Sequence, residues 1–224
     1  MSATLTFYER LQAATIQERQ LLRQAPLIRA ALAGALARED YRAFLTQAYH
    51  HVRHTVPLLM ACGARLAPEY EWLRVKMAHY IEEEIGHQEW ILDDIRHSGG
   101  DADAVRDARP LPATELMVAY AYDQIARVHP LGFLGMVFVL EGTSIELASA
   151  AAEAIQRSLN LPKRAFSYLT SHGALDLEHV DFFRDLVNQI DNEADRDIVL
   201  HAAKMFFSLY SNIFYSIPLQ RAAA

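Results

Sequence analysis

The chain has 224 residues, 52% of them hydrophobic and 22% charged, with a net charge of −7 at neutral pH. That length and balance suit one globular domain over residues 1–224 with a large core, and argue against a disordered chain or a nucleic-acid partner, since there is no basic run. A single cysteine, Cys62, leaves no internal disulfide and no cysteine-rich zinc or iron–sulfur centre.

No basic segment followed by a long apolar run opens the sequence, and the apolar run Leu131–Leu140 is too short to span a bilayer. A soluble, cytoplasmic protein without a membrane partner is expected. Taken in order, the helical spacing of apolar residues predicts helices over 4–23 and 26–37, the second opened by Pro26. A long helix follows from Glu39 to Leu66. Another runs from Pro68 to about residue 97 and is ended by Ser98-Gly99-Gly100. Residues 101–108 form a short helix or turn, and 113–127 and 130–158 two more helices. After a break at Asn160-Leu161-Pro162, a helix spans 172–190. A last one, capped by Asn192, runs to about Ile217 before Pro218. With no alternating strand pattern, repeat or linker, the fold class is all-α, a single bundle of about seven or more helices.

The helix over 172–190 carries the most unusual stretch. His172, Asp176 and His179 stand at i, i+4 and i+7, so they share one face. The same stripe continues through Val180, Phe183, Leu186, Val187 and Ile190, which points two imidazoles and a carboxylate at a core. Burying such groups without partners costs roughly 2–7 kcal/mol each, and a metal ion would satisfy them.

Two other helices offer matching donors. In 68–97 the apolar stripe runs Leu73, Met77, Tyr80, Ile91, and it also takes in Glu84 and His87. Glu-x-x-His at i, i+3 is a pair that di-iron carboxylate bundles draw from one helix. Glu141 closes the run Phe133–Leu140, apolar on nearly every side, where a carboxylate should be paired, protonated or metal-bound. Together Glu84, His87, Glu141, His172, Asp176 and His179 form a mixed imidazole and carboxylate set suited to ferrous iron, about two ions per chain. The other polar residues read more plainly. His51 suits a satisfied core histidine or a pocket wall, in a cluster with His50 and His54. Tyr80 is a core tyrosine one turn from Glu84, and His79, His97, His129 and His201 are surface or capping residues. Cys62 is a small core residue, and Phe206, Tyr210 and Phe214 are core or pocket wall.

This constellation, and His172-x₃-Asp176-x₂-His179 above all, resembles the haem-oxygenase-like di-iron oxidases, which stand with the TenA and PqqC-like proteins of the haem-oxygenase fold. The resemblance implies a compact bundle with iron at its centre and O2 as co-substrate. It also implies oxidation of a small-molecule substrate such as a carboxylic or amino acid, an external electron donor and a homodimer. Glu84, His87, His172 and a bridging Glu141 would hold one iron, with Glu141, Asp176 and His179 holding the other. Two departures stand out. Some members take the first carboxylate from a position that is Tyr80 here, and the TenA enzymes use a cysteine on the helix that here carries Glu141. The competing readings are a metal-independent TenA or PqqC-like enzyme binding a pyrimidine or aromatic ligand, and a helical binding protein without catalysis.

Overall fold

The computed structural model describes residues 5–220, and within them every side chain except those of 171–179. Among the described residues all regular structure is helical. The first part of the chain gives α1 (Phe7–Ala14), α2 (Ile16–Arg23), α3 (Pro26–Leu32), α4 (Arg38–Val52), α5 (Thr55–Arg65) and α6 (Glu71–Glu84). It continues with α7 (His87–His97), α8 (Ala102–Asp107), α9 (Pro112–Asp123), α10 (Phe133–Leu159), α11 (Ser167–Val187) and α12 (Glu193–Ser216).

Several boundaries follow the expected signals. Pro26 and Pro112 occupy the first helical position, where a missing N–H costs nothing. The Asn192 side chain accepts from the Ala194 N–H at 2.8 Å and caps α12. At the end of α7, Gly100 N–H reaches back to the Ile95 carbonyl and Gly99 N–H to that of Arg96, a Schellman closure.

Three expected long helices are instead broken. The segment 4–23 parts at Thr15, whose hydroxyl donates to the Leu11 carbonyl at 2.7 Å. The segment 39–66 parts at Arg53-His54. Pro57 explains that break, because its ring would clash with the carbonyl four residues back, so it is tolerated only in the first turn of a new helix. The segment 68–97 parts at Ile85-Gly86, so Glu84 and His87 do not share a helix as expected. The second helix also ends earlier than expected, at Leu32, and α11 starts earlier, at Ser167.

α10 is the central element and packs against α11, α12 and α3. By length and composition it could cross a membrane, yet 61% of its most apolar 18-residue window is buried inside the fold, and residues 131–139 are all buried. Its apolarity therefore serves the core. Contact with α12 is unusually close at Gly135, where an added Cβ would lie 2.5 Å from Ala203 N and 2.7 Å from Ala202 C. Around α10 one cluster of buried apolar residues extends from Phe7 to Ile217.

Candidate metal centre

Glu84 is the last residue of α6 and His87 the first of α7. The two residues between them reverse the chain. Gly86 has φ +95°, in a left-handed region that costs a residue bearing a Cβ roughly 1–2 kcal/mol. The turn throws Ile85 outward, 64% exposed, and leaves Glu84 and His87 only 6% and 2% exposed. His87 Nδ1 lies 3.0 Å from Glu84 Oε2. A hydrogen bond from the Nδ1–H to that carboxylate fixes the ring and leaves Nε2 with the lone pair that a metal would use. Trp90 stacks on the same ring at 4.0 Å between centroids.

Glu141 reaches this region from α10. It is half-buried and, with Glu84, lines a cavity of ≈ 150 Å³. His51, Tyr80, Tyr168 and Tyr210 also line the cavity, and His51 meets the ring of Tyr210 edge-on. Burial raises the pKa of Tyr210, so its phenol stays protonated and is not a base. The structure thus places Glu84 and Glu141 on the lining of one cavity and bonds His87 to Glu84. His172, Asp176 and His179 fall within 171–179 and lie outside the described side chains, although α11 carries their backbone. Among the described residues no group of three or more histidine, cysteine, aspartate or glutamate side chains is placed to hold an ion.

The helix that holds those three residues is fastened to α7 by Asp94. This carboxylate is fully buried and accepts from Ser167 N–H at 2.8 Å, Ser167 Oγ at 2.7 Å and Tyr168 N–H at 2.8 Å. It satisfies the free N–H groups of the first turn of α11, where a negative charge is also favoured by the helix dipole. Sequence reasoning missed it, because an aspartate on a helix face gives no sign that it caps another helix.

The remaining candidates sort as follows. Phe138, Phe183 and Phe206 are core residues, whereas Phe214 lines the cavity. His79 is exposed and pairs with Glu83, and His129 accepts from Leu131 N–H as a capping residue. Cys62 is fully buried, and burial pushes its thiol up to about 12, so no thiolate is available for nucleophilic attack.

His50 and His54 flank the α4–α5 break. His54 Nδ1 bonds the Tyr122 hydroxyl at 3.1 Å, and His50 Nε2 has no partner among the described residues. Burial first, and Arg53 second, lowers the pKa of both rings below the ordinary 6.5. The unfolded chain therefore binds protons that the folded one refuses. Their contribution is present above about pH 6.5 and is lost as pH falls through the lowered folded values. Melting temperature should drop on acidification through this window, and the drop should be smaller in a His50→Gln, His54→Gln double variant, as followed by circular dichroism.

Comparison with known proteins bears on this geometry. A family described as iron-containing redox enzymes matches residues 42–211. No curated protein sequence matches the chain. A domain of unknown function with a haem-oxygenase-like fold from Shewanella denitrificans superimposes with a TM-score of 0.84 at 24% identity, covering 96% of this chain and 93% of that one. A TenA homologue from Pseudomonas syringae gives 0.76 at 12% identity over 94% and 91%. A haem oxygenase from Leptospira interrogans gives 0.71 at 17% over 94% and 99%. At these identities the likeness is one of fold, the haem-oxygenase-like helical bundle expected from the sequence.

Proposed function

We propose that this chain, which belongs to the family of iron-containing redox enzymes, is a non-haem di-iron oxidase or oxygenase that uses O2 to oxidise a small carboxylic or amino acid. The observation that carries the reading is the meeting of Glu84 from α6 and Glu141 from α10 at one cavity, with His87 bonded to Glu84. The donors fit the metal, because two carboxylates at a mostly apolar cavity, one of them bonded to an imidazole, are the hard and borderline ligands that ferrous iron takes. Glu84, His87 and Glu141 would hold it together with His172, Asp176 and His179. Bound iron would supply the reduction of O2, which no side chain of the chain can perform.

The chain's own residues set the surroundings. The Glu84 carboxylate orients the His87 ring. The Tyr210 phenol, held protonated by burial, lines the cavity, whose mostly apolar walls strengthen electrostatic contacts inside it. Two ferrous ions bring four positive charges and the three candidate carboxylates offset three, so the loaded site favours an anionic group on the substrate. The same carboxylates oppose a bulky anionic porphyrin, and the protonated, buried thiol of Cys62 disfavours hydrolysis of the TenA kind. The reading includes a homodimer and an external electron donor.

Anaerobic loading with Fe(II) followed by O2 tests it. Bound iron of about two per chain and O2 uptake stimulated by free acids but not by their methyl esters are expected. A chain that binds haem in place of ferrous iron, or takes up no O2 with any acid, would overturn it.

A further inference from the structure

Three threonines of the chain, Thr15, Thr46 and Thr170, each donate to the carbonyl four residues back, at 2.7, 2.8 and 2.8 Å. Thr143 of α10 does not. It is 8% exposed, and its Oγ1 is buried with no hydrogen-bond partner among the described residues. A buried hydroxyl left unmet lowers stability, and a valine of similar volume would fill the same wall without that cost. Thr143 lines the cavity that Glu84 and Glu141 also line. Two residues along a helix turn about 200° and rise about 3 Å, so Thr143 stands almost level with Glu141, at the opposite edge of the face that α10 turns to the cavity. Leu140 and Leu147, one turn to either side of Thr143, are lining residues too and are apolar, while Ser144 lies on the Glu141 side. No lysine or arginine is among the described lining residues. A charged group beside Thr143 would lose its water without a counter-charge, whereas an uncharged oxygen needs one hydrogen bond, which the hydroxyl supplies.

We infer that Thr143 is a specificity-determining residue, whose hydroxyl donates to an uncharged hydroxyl or carbonyl oxygen of the ligand, and that the ligand is therefore a hydroxy or oxo acid. The inference rests on the reading of Glu84 and Glu141 as the reacting end, which holds the carboxylate. A helix with its side chains is roughly 10–12 Å across, so the two polar ends of the ligand are separated by less than that width. A cavity of ≈ 150 Å³ suits an acid of this size. A plain alkanoic acid would leave the Thr143 hydroxyl as unmet in the complex as it is in the ligand-free fold.

Calorimetric titration with hexanoate, ω-hydroxyhexanoate and δ-oxohexanoate decides the matter, using the anaerobic Fe(II)-loaded chain and, in parallel, the chain without added iron. The wild type should bind the hydroxy or the oxo acid about 2- to 12-fold more tightly than hexanoate, the yield of one ordinary hydrogen bond. Thr143→Val should erase that difference, and Thr143→Ser should keep it. Without ligand, Thr143→Val should melt no lower than the wild type, since the hydroxyl it lacks has no partner in the described fold. A wild type that does not favour the oxygenated acids, or that binds none of the three, overturns the inference. So does an undiminished preference in Thr143→Val. A lowered melting temperature in that variant overturns it as well, because the hydroxyl would then be structural. The two readings fail separately. Iron uptake without a preference among the acids sinks the role of Thr143 and spares the iron centre, and a preference lost in Thr143→Val without iron uptake does the reverse.

Discussion

Alanine at His172, His179, His87 or Glu141 should each strip iron from the protein, while alanine at His97, at the far end of α7, should leave the content unchanged. Loss of a partner that merely orients a ligand weakens metal binding roughly 10- to 100-fold, so loss of a ligand itself should exceed that and reduce the stoichiometry outright. His87 and Glu141 are the informative pair, because one begins α7 and the other lies on α10, far apart in the sequence. Iron analysis after anaerobic loading and desalting measures the effect. Wild-type stoichiometry in both His172→Ala and His179→Ala would remove the assignment.

Gly135→Ala should destabilise the protein by about 3 kcal/mol, at the upper end for an overpacked core. Its melting temperature should fall by roughly 6–12 °C. The added Cβ meets backbone atoms of Ala202 and Ala203, which cannot rotate away, so α10 and α12 would have to separate. Gly142 supplies the control on the same helix. A Cβ there meets nothing within 4 Å, and the substitution should stabilise by about 0.5–1 kcal/mol through helix propensity alone. Opposite signs at two glycines of one helix, read by thermal melting, would distinguish a tight α10–α12 contact from a general intolerance of α10.

The burial of Glu84 and His87 was legible because burial follows period. Leu73, Met77, Tyr80, Glu84, His87 and Ile91 form one stripe in the sequence, and all six are buried in the structure. The stripe survives even though the helix beneath it does not. Gly86 was the available sign of the break, but one glycine inside a helical pattern costs only about 1 kcal/mol and is often tolerated, so periodicity alone carries through it. Pro57 was a firmer sign of the α4–α5 break, since a proline cannot sit in a helix interior. The cavity was legible only in part. His51, Tyr210 and Phe214 read as core or pocket wall and do line it, but Ala31, Ala148 and Ala151 look like ordinary small residues of amphipathic helices, and whether two such faces close together or leave a gap depends on how α3 is set against α10.

Asp94 lies seven residues beyond His87 and grips the first turn of the helix that carries His172, Asp176 and His179. In the proposed centre this makes α7 and α11 two arms of one tethered chelator. Once an ion touches the first arm, capture by the second is in effect intramolecular, at a local concentration fixed by the clamp and not by helices diffusing together. Filling such a centre is limited by delivery of the ion.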